Sequence, residues 1–317
     1  MKTSPLHASM LHLQSTLEKY ILGKHQEIEL LLTAVIAGGH ILIEDVPGTG
    51  KTQLIKSLAR SLDGQFRRVQ CNPDLLPTDI TGMFIFHPKD QTFIFRQGPI
   101  MTNFLLVDEI NRATTKTQSA LLEAMEEHRV TIDGQTFELP QPFVMFATQN
   151  PIEFEGTYAL PEAQLDRFMM KIHLGYPDEA TEKLMLFRHV YGQPSERVET
   201  IADIDLIHKV QEEAKHVHAD DAIGGYIIDI VRATRKNRHI LLGASPRASL
   251  ALMQASKAYA WLKGRSYVTP DDVKEMAPHV LGHRLMISMD AKIEGVNAKS
   301  ILEQILKQVP VPIRLEM

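Results

Sequence analysis

Nine consecutive residues, Glu44-Asp45-Val46-Pro47-Gly48-Thr49-Gly50-Lys51-Thr52, have the make-up of a phosphate cradle. Small residues let successive backbone N–H groups curl around the β- and γ-phosphates of a nucleotide. A helix opening directly after them adds its partial positive charge. Lys51 can neutralise the terminal phosphates, and the Thr52 hydroxyl can hold Mg2+. The nucleotide-binding candidates are therefore Val46, Pro47, Gly48, Thr49, Gly50, Lys51, Thr52 and, next in the helix, Gln53. Asp45 stands where the general phosphate-loop pattern begins with a glycine, a residue that shapes the loop entrance rather than touching phosphate. Taken alone, the stretch could be a glycine-rich turn capping a structural helix, but its place between a strand and a helix favours the nucleotide. It is not a dinucleotide fingerprint, because Gln53 occupies the last glycine position of G-x-G-x-x-G.

Two further sets of polar residues end apolar runs downstream. Phe104-Leu105-Leu106-Val107 leads into Asp108-Glu109. Carboxylates beside a core strand are costly unless a cation or hydrogen bonds compensate. Asp108 is the candidate Mg2+ ligand, through water, and Glu109 the candidate to orient or activate the attacking water. An exposed acidic turn is the alternative. Phe143–Thr148 runs into Gln149-Asn150-Pro151, and an amide there can reach both the γ-phosphate and the lytic water. Asn150 is that candidate, with a simple Asn turn before proline as the competing explanation.

The elements that must position these residues alternate between strand and helix. His40–Glu44, Phe104–Val107, Phe143–Thr148 and Met169–Leu174 read as buried strands. Thr52–Leu62 and Thr115–Glu127 read as helices, with Leu54, Ile55, Leu58 and Leu62 on one stripe of the first. Such alternation implies parallel pairing with helices on both faces. Met83–Phe95 and Arg129–Leu139 read as inserted hairpins, the second around Asp133-Gly134. Inserted hairpins protrude, which makes them candidates for contacting something. After Gly175-Tyr176-Pro177 the strand signals mostly vanish. Helices are expected at about 178–190, 203–217, 223–237, 246–262, 270–280 and 297–308. Ser245-Pro246 and Thr269-Pro270-Asp271-Asp272 supply helix starts. The expected division is a nucleotide-binding αβα core with an N-terminal helical segment over 1–176 and a helical lid over 177–317.

Composition fits this reading. The 317 residues are 44% hydrophobic and 23% charged, with a net charge of −5, ordinary values for a globular protein. Length alone suggests about two domains. The single cysteine, Cys71, excludes an internal disulfide framework and a Cys-based zinc ribbon, and fits a reducing, cytoplasmic setting. The N-terminus lacks the pattern of a secretory signal. The longest apolar region, Ile28–Ile43, is broken by Glu29, Thr33, Gly38, Gly39 and His40 and is no membrane span. The mildly acidic balance argues against nucleic acid as the main partner.

The motifs VPGTGKT, LLVDEINRA, ATQNP, EGTYALPEAQLDRF, GASPRA and GRSYVTPDDV, in this order from about Leu22 to Leu285, resemble the MoxR family of AAA+ ATPases. The resemblance implies an αβα ATPase core followed by an all-helical lid, and a homo-oligomeric ring, commonly hexameric, with ATP between subunits. It implies that Arg167 in LDRF is an arginine finger reaching a neighbour's γ-phosphate, whereas the sequence by itself fits a salt-bridged surface residue equally well. It implies that Arg247 in GASPRA is a second sensor coupling the lid to the phosphates; the alternative is an ordinary first-turn arginine, somewhat disfavoured by the helix dipole. Ile21-Leu22-Gly23 resembles the segment lining the adenine, which adds Leu22 and Gly23 to the candidates. Asp45 departs from the general consensus, though EDVPG-type loops are familiar in this family. Protein clients, among them metal-dependent enzymes awaiting activation, and partners bearing von Willebrand factor A domains are the implied interactors.

Other signals carry less. His279 and His283 have the spacing of a zinc pair, but Val280 stands where a metalloprotease needs Glu, and two helix-end histidines are the better reading. His216 and His218 read as solvated. The basic run Arg232–His239 reads as a helix end or a subunit contact, without the interleaved aromatics of a nucleic-acid surface. No G-x-S-x-G motif is present. The expected function is ATP hydrolysis, with Mg2+, driving chaperone-like remodelling. The alternatives are a helicase-like motor, disfavoured by the uncharged-to-acidic tip Asp133-Gly134-Gln135, and a low-turnover nucleotide-dependent scaffold.

Overall fold

The computed structural model describes residues 4–46, 48–150, 158–190 and 198–312. In chain order the elements are α1 (Pro5–Tyr20), α2 (His25–Ile36), β1 (Ile41–Glu44), α3 (Lys51–Ser61), β2 (Phe66–Gln70), α4 (Pro77–Thr81), β3 (Gly82–His87) and β4 (Thr92–Gln97). Then come β5 (Phe104–Asp108), α5 (Thr115–Glu127), β6 (Arg129–Ile132), β7 (Gln135–Glu138), β8 (Val144–Gln149), α6 (Glu162–Leu165) and β9 (Met170–Ile172). The remainder is α7 (Glu179–Val190), α8 (Asp205–Lys215), α9 (Asp221–Lys236), β10 (Ile240–Leu242), α10 (Pro246–Leu262), α11 (Pro270–Leu281), β11 (Met286–Ile287), α12 (Met289–Ile293) and α13 (Ala298–Gln308).

Five strands form one parallel sheet in the order β2-β5-β8-β1-β9. Its three central strands are near-continuous apolar runs because helices cover both faces. One face packs on α2, α3 and the lid helices, the other on α5 and the base of the two hairpins. In a sheet of this kind the loops at the carboxyl ends of the strands open into a crevice where strand order reverses. The order places the carboxyl ends of β1, β5 and β8 side by side, which brings residues 45, 108 and 150 to one edge.

The hairpins β3–β4 and β6–β7 stand beside each other, joined by the Phe95–Phe137 ring stack at 4.2 Å. Beyond that stack, Phe86, Phe93 and Ile94 are exposed. The lid helices start where the sequence expects. Ser245 accepts the Ala248 N–H, and Thr269 forms a capping box with Asp272. The lid is not entirely helical: β10 and β11 pair antiparallel, too short to register as a periodic pattern. Helices α1 and α2 pack on α8 and α10, so the apolar core is continuous from the sheet into the lid. Among the described residues no helix is long and apolar enough to cross a membrane.

Candidate functional site

The loop after β1 turns sharply into α3. Gly48 and Gly50 have φ of +86° and +88°, and a Cβ at either would meet nothing within 4 Å. Glycine is needed there for the left-handed backbone, and the space it faces is open. Gly50 caps α3, so that helix's unpaired N–H groups face the same space. Pro47 lies outside the described residues.

A cavity of about 480 Å3 collects Gly48, Thr49, Gly50, Lys51, Thr52 and Gln53 together with Asp108, Glu109 and Asn150. These residues come from three strand ends and one helix start. Lys51 Nζ donates to Val46 O at 2.8 Å and to Asp45 O at 3.3 Å. Burial lowers its pKa from the ordinary lysine value, against the pull of Asp45, Asp108 and Glu109.

Asp108 is 6% exposed. Its Oδ2 accepts from Arg68 Nε at 2.6 Å and its Oδ1 from the Thr148 hydroxyl at 3.2 Å. Glu109 sits at φ +55°, a left-handed conformation that non-glycine residues adopt at a cost of about 1–3 kcal/mol and that collects at functional sites. Its N–H donates to the Thr148 hydroxyl at 2.9 Å. Its carboxylate accepts from Gln70 at 2.8 Å and from Arg112 at 3.1 Å. The described lining offers hydroxyl, carboxylate and amide oxygens with no imidazole or thiol, a donor set that suits a hard divalent cation such as Mg2+. Thr52, through its hydroxyl, and Asp108, whose two oxygens accept from Arg68 and Thr148, are the residues that would hold it.

Arg68 and Gln70 do not emerge from the sequence pattern. They lie on β2, an edge strand whose FRRVQ run buries only Val69 and gives no apolar signal. Their sequence trace is confined to the interval between α3 and β3, which has room for a strand as well as α4.

Arg167 and Arg247 come together, but not at this cavity. Glu126 Oε2 pairs with Arg167 at 3.0 Å, and its Oε1 takes Arg247 from the lid. The Arg247 hydrogen bond, with Arg167 nearby, holds the Glu126 carboxyl below its ordinary range. Arg167 also donates to Leu122 O at 3.1 Å. These side chains line a second cavity of about 290 Å3 that shares no lining residue with the first. Nor do Leu22 and Gly23 line the Lys51 cavity; Gly23 instead lies against Thr181 of α7.

The histidines take structural partners. His283 bonds Phe168 O at 3.0 Å, and burial holds its pKa well below the usual imidazole value. Among the described residues no group of three or more His, Cys, Asp or Glu is arranged to hold a metal. His216 and His218 are exposed. Cys71 is buried, and its thiol is pushed up to about 12 by burial and by the charges of Asp108 and Glu109.

Residues 40–170 match the sequence pattern of the "ATPase family associated with various cellular activities (AAA)", and residues 232–305 match the AAA lid domain. The Bacillus subtilis protein YeaC is 49% identical, covering 94% of this chain and 93% of its own. The Mycobacterium tuberculosis protein Chaperone MoxR1 is 41% identical, over 93% of this chain and 80% of its own. Protein MoxR of Methylorubrum extorquens is 29% identical over 93% and 92%. A crystal structure of a proposed ATPase from Cytophaga hutchinsonii superposes with a TM-score of 0.90 at 39% identity, covering 97% of this chain and 96% of that one.

Proposed function

The chain belongs to the MoxR family of AAA+ ATPases, and on that premise we propose that it hydrolyses ATP to ADP and phosphate to remodel or activate client proteins. The observation that carries the reading is the convergence of Lys51, Thr52, Asp108, Glu109 and Asn150 on one cavity from separate elements. The loop amides and Lys51 hold the β- and γ-phosphates. Thr52 and Asp108 would hold Mg2+, which would supply charge neutralisation on the phosphates. Glu109 accepts a proton from water, whose oxygen attacks the γ-phosphorus while the bond to the bridging oxygen of ADP breaks. Asn150 orients that water and the γ-phosphate. Leu22 and Gly23 are assigned to the adenine side.

The site is completed by a second copy. Arg167 and Arg247 stand on a different surface from Lys51 in their own chain, which supports their reaching a neighbour's phosphates. The family resemblance points to a homo-oligomeric ring, commonly of six subunits, and the separation of the two cavities fits a site shared between copies. The exposed Phe86, Phe93 and Ile94 on the outer hairpin suit contact with a protein client, including partners bearing von Willebrand factor A domains. A buried lone thiol suits the cytoplasm.

The test mixes two inactive proteins. Arg167→Ala and Lys51→Ala are each expected to lose turnover, Arg167→Ala by about 10³-fold or more. Mixed in equal amounts they regain part of it, because some interfaces then pair an intact cradle with an intact arginine. Absence of any rescue in mixtures that assemble normally sinks the shared site.

A further inference from the structure

Arg247 joins the lid to Glu126, not to the cavity of its own subunit. A different contact joins the start of the lid to the cradle of the same subunit. The strap Leu174-Gly175-Tyr176, which leaves β9 for α7, is gripped from two sides. On one side stands Asp45. Its Oδ1 accepts the Val46 N–H at 2.9 Å and its Oδ2 accepts the Gly175 N–H at 3.1 Å. One carboxylate thus ties the start of the phosphate loop to the start of the lid. On the other side, Lys24 Nζ donates to Leu174 O and to Tyr176 O, the latter at 3.2 Å, and lies 3.5 Å from Glu27.

Neither charge is a solvated surface group. Asp45 is 8% exposed and Lys24 6%. Burying a charge is costly, so its partners there define what it does. Asp45 also explains why this loop opens without a glycine, since a glycine has no side chain to reach Gly175. Lys24 follows directly on Leu22-Gly23. The strap therefore meets both segments assigned to the nucleotide, one at the phosphates and one at the base.

We propose that Asp45 and Lys24 are positioning residues that transmit nucleotide occupancy to the lid through the strap 174–176. The relay starts at Lys51, whose ammonium now bonds the carbonyls of Asp45 and Val46. When that ammonium turns to a phosphate, both carbonyls are released. The peptide between Asp45 and Val46 can then rotate, and its N–H is the group bonded to the carboxylate that holds Gly175. The inference rests on the proposed ATP site for the ligand that moves Lys51.

The experiment uses the full chain carrying a fluorescent donor on the core and an acceptor on the lid, titrated with a non-hydrolysable ATP analogue and Mg2+. Amide exchange over residues 173–181 is followed in parallel, and binding is measured by calorimetry on the same samples. Asp45→Asn is close to isosteric but accepts with one oxygen only. It is expected to speed exchange of the Gly175 amide at least about tenfold without nucleotide, the loss of one charge-assisted hydrogen bond. It is also expected to abolish the nucleotide-dependent lid shift. Lys24→Met, outside the Lys51 cavity, is expected to abolish the same shift while the analogue still binds. A lid that moves normally in both variants overturns the inference. So does a wild-type lid that binds the analogue without moving, or loss of binding in both variants, which would make them ligand contacts rather than couplers. Failure of the wild-type chain to bind the analogue counts instead against the ATP site.

Discussion

Arg284 is the residue whose removal tests the joint between core and lid most directly. Its side chain is 2% exposed, and all of its nitrogens are engaged. Nε donates to Asp166 Oδ1 at 2.7 Å. Nη1 donates to Met169 O at 3.2 Å and to Val280 O, and Nη2 to Asp166 O at 3.0 Å and Phe168 O at 2.7 Å. Four of these five acceptors belong to the Asp166–Met169 segment that carries Arg167, and the fifth is in lid helix α11. Arg284→Met keeps an apolar stem of similar length but leaves a carboxylate and several carbonyls without their donor. Breaking a buried pair in this way costs about 3–5 kcal/mol, far more than an exposed pair would. Asp166 keeps one partner, the Ser245 hydroxyl at 2.8 Å, which places the expected loss toward the lower end. The assay is urea unfolding of wild type, Arg284→Met, Asp166→Asn and the double variant. Asp166→Asn should couple to Arg284→Met by about 1–3 kcal/mol, because the second change removes a charge already orphaned by the first. A loss below about 1 kcal/mol in Arg284→Met, or additive effects in the double variant, would refute the idea that this guanidinium holds the lid to the core.

Three further outcomes follow from the site and its surroundings. Glu109→Gln should bind ATP but turn it over about 10²–10⁴ times more slowly, as expected for loss of a general base; unchanged hydrolysis in a phosphate-release assay removes Glu109 from that role. His40 is buried, with Nε2 donating to Met125 O at 3.0 Å and Nδ1 accepting from Met145 N at 3.0 Å, and its pKa is pushed down to about 3, first by burial. The unfolded chain takes up that proton near pH 6.5 and the folded chain does not, so stability falls as pH drops from about 6.5 toward 3, by up to about 1.4 kcal/mol per unit from this group; His40→Gln should have a visibly shallower acid limb in denaturant titrations between pH 6 and 4. With its thiol raised to about 12, Cys71 holds only about 10⁻⁴ thiolate at pH 8, so an aromatic disulfide reagent should label it only on the timescale of unfolding; labelling within minutes in native buffer contradicts the packing around β2 and β5.

What could be read from the sequence, and what could not, follows from which residues carry a periodic or compositional signal. The runs ILIE, FLLVD and VMFATQ are buried on both faces, so they stand out as apolar blocks, and the helix Thr115–Glu127 is found at its expected ends. Caps made by Ser245 and Thr269 are local chemistry and equally legible. The strand FRRVQ was not, because an edge position asks for burial at one residue of five. Contacts between distant residues leave no local trace. Nothing near Glu126 announces that it will bridge Arg167 and Arg247, 41 and 121 positions away. Likewise the hold of Gln70 on Glu109 and of Asp45 on Gly175 depends on strand order, which a single sequence does not contain.

The separation of the two charged clusters limits what a lone copy can do. One chain carries an intact cradle and an intact pair of arginines, yet they line cavities with no residue in common. On the proposed reading each copy offers the arginine face to one neighbour and the phosphate face to another. Such a head-to-tail contact uses two different surfaces, so it closes into a ring or runs on as a filament according to the rotation between copies. Arg167 belongs to the core and Arg247 to the lid, and Glu126 holds the two side chains together within one chain. Arg284 ties the lid to the segment that bears Arg167 from the buried side. A variant that loosens Arg284 should therefore impair assembly or turnover in mixtures even when its own Lys51 cavity still binds nucleotide.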